Sequence, residues 1–236
     1  MTATLDERAG DVPKRYDSSI DAHTAIRQAE LEDEAEYAAR TVPDVPEASL
    51  LSALSALWTY PLHGIDGVFD QLEDFCADES QLLCKPDLER LRELLDDFRH
   101  TTEEIVGADA LQLEYTRLFI GSFRMYAAPY ASFYLDSENQ VYGPTAAEIE
   151  NLYAQFGLEI KQDEHDMPDH LRFLLAFMSL LATSYESTGK ADFALAYQDF
   201  KEEYVDSWLP DLRANVQKYA EYDYFKALLD FTIEHL

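Results

Sequence analysis

Asp169 and His170 are the two neighbouring residues whose types suit shared chemistry. They close an acidic stretch, Asp163-Glu-His-Asp-Met-Pro-Asp-His170, that runs directly into the most apolar part of the chain, Leu171 to Ala182. A carboxylate beside an imidazole has the composition of an acid–base pair. Adjacent helical residues do not face each other, however, and no nucleophile is tied to these two by spacing. His165 and His170 stand roughly 140° apart around a helix, so they do not converge on one metal. Two readings remain. In one, Asp169 meets free N–H groups of the first helical turn and His170 satisfies a neighbouring carbonyl. In the other, the pair contacts a ligand at the helix end, where a charge-assisted hydrogen bond contributes about 1.5–3 kcal/mol.

The element that must position the pair is a helix predicted to begin at Pro168. Proline fits a first turn, and Asp166 and Asp169 put negative charge at the positive end of the dipole. Leu171, Leu174, Leu175, Met178, Leu181, Ala182 and Tyr185 recur at helical spacing, which marks a core helix. The rest of the chain from Glu47 carries the same period. Leu50, Leu51, Leu54, Leu57 and Trp58 make one face, and Ile65, Val68, Phe69, Leu72, Phe75 and Cys76 the next. Leu88, Leu91, Leu94, Leu95 and Phe98 mark a third helix.

A fourth is predicted from about Asp109 to Gly121. Its stripe of Tyr115, Leu118, Phe119 and, beyond it, Phe123 suits either core packing or the lining of an apolar peptide groove. Residues 122–144 read as an aromatic-rich connection with six aromatic side chains. Thr145 and Glu148 have the spacing of a capping box, and Gly157 that of a helix end. Further faces follow: Phe193 to Trp208, then Leu212 to Tyr219, then Phe225 to Thr232. No strand alternation or fixed repeat appears, so the expected fold is all-α, a single compact domain of about nine or ten helices over residues 48–236. Residues 1–47 form an acidic extension, with twelve acidic and five basic residues, expected to be a solvated helix or partly disordered.

The 236 residues carry 47 acidic and 18 basic side chains, a net charge of −29. Such a field disfavours nucleic acid and anionic membranes and favours a basic or dipolar partner. With seven lysines, the balance also suits a high-salt interior, where a Debye length of about 3 Å would leave the charge mainly a solubility device. Cys76 and Cys84 form no CxxC, so neither zinc nor a disulfide framework is indicated. No phosphate loop, GxSxG, GxGxxG or HExxH is present, and no catalytic residue or cofactor is expected. The Leu171–Ala182 run is too short to span a bilayer and no secretory leader is recognisable, so a cytoplasmic protein is expected, monomer or dimer.

Three segments in order, Tyr115-Thr-Arg-Leu-Phe-Ile-Gly121, Ala128-Pro-Tyr-Ala-Ser-Phe-Tyr-Leu-Asp136 and Met167-Pro-Asp-His170, resemble the TorD/DmsD/NarJ family of redox-enzyme maturation chaperones. The resemblance extends over about residues 48–236. It implies an all-helical, non-enzymatic chaperone that binds the twin-arginine signal peptide and apo-form of a molybdopterin oxidoreductase, holding it back from export until cofactor insertion. By motif matching the peptide-contacting residues would be Tyr115, Leu118, Phe119, Phe123, Pro129, Ser132, Asp169 and His170. Where many relatives carry acidic residues after the Asp-His pair, this chain has Leu174 and Ala176. That resembles the DmsD branch and a DMSO-reductase-type client. The alternatives are an adaptor for a non-exported reductase subunit, as in NarJ-like relatives, and a helical GTP-binding or hydrolysing enzyme using Asp169 and His170.

Overall fold

The computed structural model describes residues 40–61, 63–77, 85–102, 110–121, 124–137, 141–160 and 167–236. The chain divides into two units, residues 1–41 and 42–236, and the helical fold belongs to the second. Most of the acidic extension lies outside the described residues, as do Cys84, Phe123, Asp163, His165 and Asp166.

Ten α-helices occur among the described residues: α1 (Ala48–Leu57), α2 (Gly64–Ala77), α3 (Lys85–Thr102), α4 (Ala110–Tyr115), α5 (Ala131–Leu135), α6 (Pro144–Gln155), α7 (Leu171–Thr188), α8 (Ala191–Lys201), α9 (Leu209–Tyr219) and α10 (Asp223–Glu234). Two of them continue as π-helical turns, α4 through Thr116–Ile120 and α8 through Glu202–Asp206. Among the described residues there is no strand, only an isolated antiparallel bridge between Tyr130 and His170.

The apolar stripe of α7 is core, as its spacing predicts: Leu171, Leu174, Leu175, Met178 and Ala182 are fully buried. Helix α1 packs along it. Ser55 Oγ donates to the Arg172 carbonyl at 2.8 Å near one end. Near the other, Ser179 Oγ donates to the Ala48 carbonyl at 2.8 Å, so the two helices run antiparallel. Helix α8 packs on α7 as well, while α2 pairs with α3 and α3 meets α10. Trp58, fully buried at the end of α1, donates its indole N–H to Thr232 on α10 at 2.9 Å.

Three local expectations are corrected. Helix α7 starts at Leu171, not Pro168; its N-cap is His170, whose ring accepts the Arg172 N–H, and Pro168 and Asp169 form a turn before it. The Thr145–Glu148 capping box does not form. Helix α6 starts at Pro144, and the Thr145 hydroxyl donates to the Asp136 carboxylate at 2.7 Å. The aromatic connection also contains a helix, α5. At the starts of α5 and α6 a carboxylate brought in by the fold does the capping, Asp169 on the Ser132 N–H and Asp136 on Thr145. Helix α1 follows the same pattern, since its Ala48 N–H donates to Glu186 of α7 at 2.9 Å. Gly157, with φ of 73°, does end α6 as expected, and Gly189 ends α7 in the same left-handed conformation.

Candidate functional site

The three segments that stand out in the sequence converge on one knot. The 128–136 segment meets the Asp169–His170 turn through short antiparallel pairing: Ala131 N–H donates to the Asp169 carbonyl at 3.1 Å, and Leu171 N–H to the Pro129 carbonyl at 2.8 Å. Asp169 Oδ2 then accepts the Ser132 N–H at 2.8 Å, within the first turn of α5. Ser132 Oγ accepts the Tyr142 N–H at 3.2 Å. Tyr142 has φ of 66°, a left-handed conformation that tyrosine rarely adopts, and its side chain is exposed.

His170 faces the third segment. Its Nδ1 accepts the Arg172 N–H at 3.1 Å, so the neutral ring carries its proton on Nε2, 3.5 Å from the Tyr115 hydroxyl. Tyr115 in turn donates to the Trp58 carbonyl at 3.1 Å, which links α7 through α4 to α1. The Tyr130 ring meets the imidazole edge-on at 5.0 Å. The two side chains therefore engage different partners, Asp169 the start of α5 and His170 the Tyr115 relay, rather than forming an acid–base pair.

Burial changes what these residues can do. Asp169 and Ser132 are 0% exposed and His170 1%. Tyr115, Leu118, Phe119 and Pro129 are buried too, and Phe119 packs edge-on against Trp58 and Phe225. Leu118 also anchors the next segment, its carbonyl accepting the N–H groups of Tyr126 and Ala127. The fold thus brings Tyr115, Pro129, Ser132, Asp169 and His170 together, but inside the core rather than along an open groove. Phe123 lies outside the described residues. Leu174 is likewise core, whereas Ala176 is at the surface.

Burial raises the Asp169 carboxyl above its ordinary value, hydrogen bonds from Ser132 pull it back, and the Asp136 charge pushes it up again. Its Oδ1 is buried without a hydrogen-bond partner, which disfavours the charged form further. Tyr153, whose hydroxyl donates to the Pro168 carbonyl at 3.1 Å, is held well above its ordinary value by burial and then by the Asp169 charge. The folded state therefore binds the Asp169 proton more tightly than the unfolded chain, and this contribution to stability is lost as pH rises through the folded pKa. Asp169→Asn keeps an acceptor for Ser132 and removes the titration. Urea unfolding should show the variant gaining on wild type as pH rises from about 4, the ordinary carboxylate value; a difference independent of pH would contradict this.

Asp136, Tyr142 and Tyr153 were not singled out by sequence. The available signal was the position of Asp136 at the end of the 128–136 segment. Among the described residues no group of three His, Cys, Asp or Glu side chains could hold a metal ion. No helix among them is long and apolar enough to cross a membrane.

Beside the knot lies a cleft of about 370 Å³ between α6 and α7, lined by Tyr153, Leu158, Ile160, Phe173, Phe177 and Leu180, with Glu159 and Ala176. Tyr153 belongs to both features, through its hydroxyl on Pro168 and its place in the lining.

A family model described as the nitrate reductase delta subunit matches residues 81–214, more than half of the chain. The chain belongs to this family. It is the TorD/NarJ family that the three converging segments resemble. Among its relatives, the chaperone protein TorD of Psychrobacter sp. (strain PRwf-1) is 33% identical over 109 residues, 45% of this chain and 49% of that protein. TorD of Vibrio vulnificus (strain CMCP6) is 24% identical over 151 residues, 61% of this chain and 70% of that protein. The chain thus spans about half the length of the Psychrobacter relative. A solved candidate redox enzyme maturation protein from Archaeoglobus fulgidus is 25% identical, with a TM-score of 0.41 over 76% of this chain and 98% of that one.

Proposed function

We propose that this TorD/NarJ-family member is a cytoplasmic chaperone that binds the twin-arginine signal peptide of a molybdopterin-dependent oxidoreductase, of the DMSO- or TMAO-reductase type, and assists its maturation before export. It is a binding protein rather than an enzyme. The observation that carries this reading is the family match, supported by relatives named as chaperones. The net charge of −29 adds physical support, since an arginine pair needs carboxylates nearby. Of the eight residues that the resemblance points to, the seven described ones are buried. Tyr115, Leu118, Phe119, Pro129, Ser132, Asp169 and His170 therefore hold the binding face in shape, and exposed neighbours such as Tyr142 and Met167 meet the peptide.

Calorimetric titration of a peptide with an Arg pair followed by an apolar stretch tests the reading. Binding is expected, with its Lys-Lys counterpart weaker by about tenfold because lysine lacks the bidentate fork. Absence of binding at both low and high salt would rule it out. A second reading, an adaptor for a reductase subunit that is not exported, is favoured by the family's description as a nitrate reductase subunit. Only the adaptor should still capture a client whose first residues have been deleted.

A further inference from the structure

The α6–α7 cleft is lined mainly by apolar side chains, and its volume of about 370 Å³ falls at the lower end of the range for ligand pockets, roughly 300–1,000 Å³. It is too small for a whole helix and suits a few aliphatic side chains. Phe156, half-exposed at the end of α6, packs edge-on against the lining residue Phe177 with ring centres 5.1 Å apart, and Leu180 is partly exposed at the other wall. Apolar surface therefore continues from the cleft onto the outside of the molecule.

The α6 side of it is acidic. Residues 144–160, which supply α6 and the segment after it, carry Glu148, Glu150 and Glu159 and no lysine or arginine. Glu159 is itself part of the lining. On the α7 wall the nearest cation is Arg172, whose guanidinium lies over the Phe173 ring at 4.0 Å.

We infer that this cleft seats the apolar segment of a basic, extended or helical leader peptide, with the acidic α6 side facing the peptide's cationic flank. The inference rests on the signal-peptide reading and locates its apolar half. Apolar side chains enter between Phe173, Phe177 and Leu180, and the peptide's arginines or lysines meet Glu159 and the α6 glutamates. Tyr153 couples the two features: the residue that borders the cleft also holds the Pro168 carbonyl, so the buried knot fixes the cleft wall.

Ala176 and Leu180 lie on the surface of α7, and the pair Ala176→Gln with Leu180→Gln makes the cleft polar without changing net charge. Three probes are titrated against wild type and this variant, after circular dichroism has verified that the variant is folded. The first is the Arg-pair peptide with its apolar stretch, the second a leucine-rich peptide with Lys flanks and no Arg pair, and the third the Arg-pair peptide with serine and glycine replacing the apolar stretch. Wild type should bind the first two, and the variant should lose at least tenfold in affinity for both; the third should bind weakly and equally to each protein. Unchanged affinity in the variant, or no binding of the leucine-rich peptide to wild type, overturns the cleft assignment. Should wild type bind the leucine-rich peptide through the cleft yet show no preference for the Arg pair over Lys-Lys, the signal-peptide reading fails and the cleft assignment stands.

Discussion

Replacing Glu114 by alanine is expected to destabilise the protein by about 3 kcal/mol, the lower end of the cost of breaking a buried ion pair. Glu114 is 4% exposed on α4 and accepts two hydrogen bonds from Arg117, at 2.7 and 2.9 Å. It also accepts the Glu221 N–H at 2.9 Å, while Arg117 donates to the Tyr219 carbonyl at 2.7 Å. One carboxylate thus pins the turn between α9 and α10 onto the π-helical end of α4. The Glu114 hydrogen bond holds the Arg117 guanidinium above its ordinary value, with burial opposing. Truncation leaves Arg117 only the more exposed Glu221 carboxylate at 3.6 Å and strands the Glu221 N–H. The lower end applies because Arg117 keeps the Tyr219 carbonyl, lies 5.6 Å from the Tyr126 ring and is 30% exposed. Urea unfolding at constant slope measures the loss. Glu114→Gln, which retains one acceptor, should cost clearly less. A loss below about 1 kcal/mol for Glu114→Ala would mean that the pair behaves like a surface salt bridge.

Gly121→Ala should cost a similar amount for a different reason. Gly121 ends the π-helical turn with φ of 65° and donates its N–H to the Thr116 carbonyl at 2.6 Å. A left-handed backbone costs an alanine about 1–2 kcal/mol. An added Cβ would also collide with the Arg124 carbonyl and the Met125 nitrogen. These are backbone atoms that cannot rotate away, so relief requires shifting the chain, at a further cost of about 1–3 kcal/mol. Thermal or urea unfolding of Gly121→Ala should therefore show a loss of about 2–5 kcal/mol. A loss within about 0.5 kcal/mol, typical of neutral surface changes, would show that the loop relaxes freely. The same loop leads to Tyr126 and Ala127, which hang on the Leu118 carbonyl, so the variant should also weaken peptide binding if that reading holds.

The helices were legible because an apolar residue every three or four positions is a property of the sequence itself. Leu171 to Ala182 reads as a core helix and is one; Leu50 to Trp58 likewise. Less legible was the destination of the Tyr115–Phe119 stripe. Periodicity says that a face must be covered, but not whether protein or ligand covers it. Here Trp58 and Phe225 cover it, and the open apolar surface appears instead between α6 and α7, where Ala176 and Leu180 sit outside the main stripe.

By itself the sequence determined the helical class, the acidity, the lack of familiar catalytic motifs and the three segments that carry the family resemblance, all of which depend on residue type and short spacing. Tertiary structure alone decided what Asp169 and His170 do. Asp169 serves the start of α5, Asp136 that of α6 and Glu186 that of α1, from separations of 37, 9 and 138 residues. An N–H at a helix start accepts any carboxylate the fold delivers, so no local motif needs to record the partner. His170 caps its own helix and reaches Tyr115 across the core. The pair that looked reactive is thus a buried fastening.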